Sequence, residues 1–141
     1  MGALLLHMSI ELTAIAAAFI LGLVHIVLAS HAASFQRGYK WSAGARDEPV
    51  LPLTGVAGRL ARASDNYAET FPYFAALALA VQVAGAAGVL SHLGVGLYLA
   101  GRLAYLPLYA YGVYLVRSLA WNVATAGIAI LCASLLVKLY G

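Results

Sequence analysis

The charges along this chain stop for long stretches, and that limits what it can fold into. No Asp, Glu, Lys or Arg occurs between Glu11 and Arg37, between Glu69 and Arg102, between Arg102 and Arg117, or between Arg117 and Lys138. All but the stretch between Arg102 and Arg117 reach the ~20 residues that an α-helix needs to cross a bilayer. Of the 141 residues, 64% are hydrophobic and 9% charged, against roughly 25% charged in a soluble domain. Ala, Leu, Val and Ile fill the runs without the alternation of a membrane β-strand. The expected class is therefore all-α: an integral membrane four-helix bundle forming a single domain over residues 1–141. Its helices are read at about 9–30, 58–87, 93–116 and 118–140.

Loop 1, about His31 to Ala57, is the one long connection and holds most of the soluble charge. Lys and Arg gather there and at the third junction, marked by Arg117. The positive-inside rule then puts loop 1 in the cytoplasm and both termini outside. Trp41 and Trp121 fall near the expected interfaces. No basic run precedes the first apolar stretch, so it does not read as a cleaved signal; Met8 is an alternative start to Met1. The net charge of +3 is not arranged as a nucleic-acid patch. The lone Cys132 reads as a buried thiol. No HxxxH, HExxH or CxxC spacing suggests a metal, and no GxSxG, P-loop or dinucleotide fingerprint is present. Glu11, near the outer end of helix 1, is expected to be solvated.

The segment RLARASDNYAETFPYF departs from the oily background. From Arg59, residues Arg62, Asn66, Glu69 and Tyr73 share a sector of roughly 80° on a helix turning 100° per residue. Ionisable groups inside a span are costly unless paired or solvated. Arg59 and Arg62 alone are readable as snorkelling anchors, and an Arg62–Glu69 ion pair is a second plain reading. The whole stripe suits a zwitterionic ligand, with arginines for carboxylates, Glu69 for an ammonium and Asn66 for an amide. Pro72 removes an N–H and is expected to kink the helix. On helix 3, Tyr98, Arg102, Tyr105 and Tyr109 share a face, with Pro107 between the last two tyrosines. Arg102 lies deep in its span and needs a partner, for which Glu69 is the candidate. Arg117 beside a bound thiol would favour the thiolate.

The pattern RxxRAxxNxxExxP (Arg59, Arg62, Ala63, Asn66, Glu69, Pro72) resembles the helix 2 signature of the MAPEG superfamily, membrane-associated proteins in eicosanoid and glutathione metabolism. The likeness continues through Arg102, Tyr105 and Tyr109 to the pair Arg117–Ser118. It implies a homotrimer with glutathione as co-substrate, bound between neighbours near the cytoplasmic side. Arg59, Arg62, Asn66 and Glu69 would hold the tripeptide, Tyr105 and Tyr109 would line the pocket, and Arg102 would join the polar network. The catalytic set would be Arg117, Ser118 and Tyr105. The reaction would be conjugation of glutathione to a lipophilic electrophile or reduction of a lipid hydroperoxide. The expected partners are a second and third copy of the chain, membrane lipids and the electrophile. The compact chain and absent retention signal fit a bacterial inner membrane. The chain departs from the pattern in three places, one being the spacing from Tyr109 to Arg117, which differs by about a residue among members. Arg37 is the nearest basic residue to the arginine that relatives carry at the end of helix 1, and Thr70 replaces an aromatic after the glutamate. Competing readings are a non-catalytic scaffold or lipid-binding protein and a small multidrug-type transporter. The transporter would need a carboxylate mid-way along helix 1, where this chain has none.

Overall fold

A computed structural model describes residues 9–141, and Met8 lies outside them. Helix is the one regular element among the described residues: α1 (Ile10–Arg37), α2 (Tyr39–Ala43), α3 (Gly55–Val83), α4 (Val89–Tyr111) and α5 (Tyr114–Tyr140). The Ser9 hydroxyl caps α1 by accepting from the Leu12 N–H at 3.1 Å, satisfying one orphan donor of the first turn. Helix 1 outruns its expected end at Ser30. No Gly or Pro follows until Gly38, where φ reaches 93° and an L side chain would be strained.

By length and composition α1, α4 and α5 can each cross a membrane. The fourth long helix, α3, has 29 residues, but its first half carries the polar stripe, which lowers its hydropathy. Both prolines sit inside continuous helices, Pro72 in α3 and Pro107 in α4. Each removes the N–H that would bond the carbonyl four residues back.

The expected helix 3–helix 4 junction at Arg117 is corrected. α4 ends at Tyr111, and Gly112 takes the left-handed conformation at φ 77°. The Gly112 N–H donates to the Tyr109 carbonyl at 3.1 Å and the Val113 N–H to the Leu108 carbonyl at 2.9 Å, a Schellman-type stop. Arg117 and Ser118 therefore sit at the start of α5, not in a loop.

The α4–α5 pair packs most closely. A Cβ on Gly101 would fall 2.7 Å from the Ala120 carbonyl oxygen, and one on Gly94 would fall 2.9 Å from that of Gly127. Small residues let two backbones approach where lipid offers no hydrophobic drive for association. At the loop end, the Gln36 amide bonds the Thr54 hydroxyl and accepts from the Thr54 N–H, both at 3.2 Å. This ties the end of α1 to the start of α3.

Two apolar clusters fill the interior. One contains Ala18, Phe74, Val95, Tyr98 and Leu131; the other contains Leu21, Ala63, Tyr67, Tyr105 and Ala120. Outside them, large apolar residues such as Phe19, Ile20, Ile26 and Leu103 are exposed, as suits a surface facing lipid or other subunits.

Glu11 is not solvated as expected. It is 0% exposed and accepts from the Ser91 hydroxyl at 2.6 Å, with His92 Nε2 at 3.5 Å. Burying a carboxylate requires such partners, and they come from the start of α4.

Candidate functional site

Arg102 sits where the two clusters meet, 0% exposed. Its Nη1 donates to Asn66 Oδ1 at 2.8 Å and its Nη2 to Thr70 Oγ1 at 2.6 Å. Its guanidinium lies 5.9 Å from the Tyr67 ring, 5.8 Å from Tyr98 and 5.3 Å from Tyr105. The ring faces supply negative potential to the buried cation. Glu69 was the expected partner and is not: it is exposed, and its Oε2 meets Asn66 Nδ2 at 3.5 Å. Thr70 thus has a function that sequence reasoning missed. A small hydroxyl stands where the guanidinium needs an acceptor.

The two arginines of α3 reach α4. Arg59 Nε donates to the Ala110 carbonyl at 2.8 Å, and Arg62 Nε to the Tyr109 hydroxyl at 3.3 Å. The Arg62–Glu69 ion pair does not form. Among the described residues, the one contact between a basic side chain and a carboxylate is His92 with Glu11. Arg59 and Arg62 therefore form no ion pair with a described carboxylate.

Beside them an open cleft of about 380 Å³ is lined by Asn66, Tyr105, Tyr109, Arg117, Ser118, Trp121 and Asn122. Three long helices build it: α3 gives the amide, α4 the two tyrosines and α5 the rest. The Arg117 guanidinium stands 4.5 Å from the centre of the Tyr109 ring, and the Tyr105 and Tyr109 rings are tilted at 5.3 Å. The Ser118 hydroxyl points back to the Tyr114 carbonyl at 3.4 Å.

Of the sequence-derived set, Asn66, Tyr105, Tyr109, Arg117 and Ser118 come together in the cleft. Arg62 reaches it through Tyr109, and Arg102 lies behind it through Asn66. Arg59 and Glu69 are not among its lining residues, and Tyr73 is 68% exposed. Arg37 is also elsewhere, 5.4 Å from the Trp41 ring centre. Trp121 and Asn122 were missed. Trp121 follows Arg117 by one helical turn, which was a usable signal; Asn122 offered none.

The arrangement is a polar, cationic recess at one end of an apolar helical protein. It can hold an acidic or amide-bearing molecule and stabilise negative charge beside Arg117. This is the architecture of an integral membrane protein with a polar cleft, and the family follows from the sequence. The MAPEG family model matches residues 14–137, nearly the whole chain, and the protein belongs to that family. Comparison with curated proteins gives no match.

Proposed function

We propose that this protein is a glutathione-dependent membrane enzyme that activates the thiol for attack on a lipophilic electrophile or a lipid hydroperoxide. The carrying observation is the cleft itself, where an amide, two tyrosines and an arginine unpaired with any described carboxylate converge in a member of the MAPEG family.

Glutathione carries two carboxylates, an ammonium, two amides and a thiol. In this reading Arg62 and Asn66 bind its carboxylate and amide groups, and Tyr105 and Tyr109 wall the recess. The thiol lies toward Arg117. Arg117 ends the first turn of α5, so the guanidinium and the helix N-terminus both favour an anion there. With an aryl or alkyl halide, the thiol proton leaves to solvent, the C–S bond forms and halide departs. With a hydroperoxide, the thiolate attacks the distal oxygen, the O–O bond breaks, and the alkoxide takes up a proton as the alcohol. A second glutathione then converts the sulfenic acid to disulfide and water. Ser118 and Tyr105 are the hydroxyls near this chemistry.

Glu69 and the outward face of Arg62 remain outside the single-chain cleft, and they suit a site completed by a neighbouring copy in a homotrimer. The positive-inside rule favours a cytoplasmic position for this end.

The test is calorimetric titration of the detergent-purified protein with glutathione, followed by turnover of a chromogenic aryl halide. Saturable binding that Arg62→Ala weakens, with turnover that Arg117→Ala removes, is the expected result. Binding without turnover in the wild type would instead make the protein a non-catalytic glutathione- or lipid-binding member. No binding at millimolar glutathione would withdraw the site assignments.

A further inference from the structure

We propose that the connection between α1 and α3 binds the headgroup of an anionic membrane phospholipid, a phosphodiester bearing free hydroxyls. The segment contains a recess of about 580 Å³ lined by Arg37, Lys40, Trp41, Arg46, Asp47 and Glu48 among others. Its position is set by α1, a helix able to span the membrane, whose last residue is Arg37. The recess therefore opens where headgroups lie. Trp41 is half-buried, and its indole N–H donates to the Glu48 carbonyl at 3.2 Å. A fixed tryptophan at the end of a span is the usual mark of the membrane–water boundary.

None of the cations forms an ion pair with a described carboxylate. The Arg37 guanidinium stacks at 5.4 Å over the Trp41 ring, and its Nε is shielded from solvent with no partner among the described residues. Arg46 has φ 63°, a conformation that costs a non-glycine residue free energy. Its Nε and Nη2 both donate to the Ser42 carbonyl, at 3.0 and 2.8 Å; these bonds hold the side chain and leave Nη1 for a ligand. Lys40 makes no ion pair with any described carboxylate. These three cations form no ion pair with a described carboxylate, and together they are a donor set that a phosphate recognises. Asp47 and Glu48 line the same recess without pairing to them. As acceptors they suit the hydroxyls of a glycerol-type headgroup and disfavour a second phosphate.

The proposal is tested by native mass spectrometry of the full-length protein, delipidated in neutral detergent and titrated with phosphatidylglycerol or phosphatidylcholine. Wild type is expected to retain phosphatidylglycerol preferentially. Each cation near an anionic lipid surface is worth about fivefold in affinity. Lys40→Gln is expected to lose about that factor, and the triple change Arg37→Gln, Lys40→Gln, Arg46→Gln is expected to abolish the preference. Lys138→Gln, at the far end of α5, is expected to leave it unchanged. Lys40 is exposed, so its single variant keeps the test decisive if the triple variant does not fold. Equal loss in Lys138→Gln, or an undiminished preference in Lys40→Gln, would overturn the site. Displacement of the lipid by inorganic phosphate at equal concentration would overturn the lipid as its occupant.

Discussion

Arg102 and Arg117 differ in what they touch. Arg102 is fully buried, bonded to Asn66 and Thr70 and ringed by three tyrosines. Arg117 is half-exposed at the cleft, and its recorded partner is the face of Tyr109. The first spends both Nη groups on α3 and so holds helices together, with its buried Nε left without a partner among the described residues. The second has no hydrogen bond or ion pair to a described side chain, so under the proposed function its donors are available to a ligand. A deep arginine is thus not automatically the functional one: depth brings partners, and partners consume donors.

The largest expected effect follows from this contrast. Arg102→Ala leaves Asn66 and Thr70 without their cation and opens a void between the apolar clusters. It should destabilise the protein by about 3 kcal/mol, since charge-assisted hydrogen bonds are worth roughly 1.5–3 kcal/mol each. Arg102→Lys keeps the charge but cannot span both acceptors, and should fall between. Thermal unfolding in detergent measures both. If Arg102→Ala melts like the wild type, the stabilising role is wrong, and Arg102 belongs with the ligand groups.

Arg117→Ala should do the reverse. Its melting temperature should stay near that of the wild type, because no described carboxylate loses a partner. Turnover should fall about 100-fold, the scale of losing one electrostatic donor at a developing charge. Steady-state kinetics of thiol conjugation reads this, with the loss expected in kcat rather than KM. A pure KM effect would make Arg117 a binding residue.

Much of this division was readable from residue spacing. The 100° step placed Tyr98, Arg102, Tyr105 and Tyr109 on one face of helix 3; the first three are buried and Tyr109 is half-buried. Periodicity could not name the partner of Arg102. Charge complementarity pointed to Glu69, but the guanidinium meets two neutral acceptors on α3. In a shielded interior several neutral dipoles and ring faces can replace one counter-charge, and only the tertiary fit selects them. Glu11 shows the converse. Its position near a helix end implied water, while its burial depends on Ser91 on a distant helix. The break at Gly112 was visible as a glycine, but hydropathy joins apolar residues across such a turn. This displaced the start of the last helix and left Arg117 in a junction.

Thr70→Val sharpens the comparison at smaller scale. It deletes one acceptor of Arg102 while nearly conserving volume, so one buried N–H loses its bond. A cost of about 1–2 kcal/mol is expected, with Asn66 still holding the other nitrogen. Glutathione affinity should change little, since Thr70 is not part of the cleft lining. Unfolding and calorimetry on the same preparation separate the two. A larger change in affinity than in stability would join the Arg102 network to the ligand site.

The smallest effect is expected at Tyr109, the residue that links the two helix-end arginines. Its hydroxyl accepts from Arg62 at 3.3 Å, and its ring faces Arg117 at 4.5 Å. Tyr109→Phe removes the first contact and keeps the second. A long, exposed hydrogen bond contributes at the low end of the usual range, about 0.5 kcal/mol, so glutathione binding should weaken by only about twofold. Tyr109→Leu removes the ring as well, and an exposed cation–π contact adds about 0.5–1 kcal/mol. That variant should therefore bind several-fold more weakly than the phenylalanine variant and turn over more slowly, because Arg117 loses the surface that positions it. Calorimetry of the pair isolates the ring. If both variants bind alike, the ring does not hold Arg117 in place, and the distinction between a fixed arginine and a waiting one would rest on Arg102 alone.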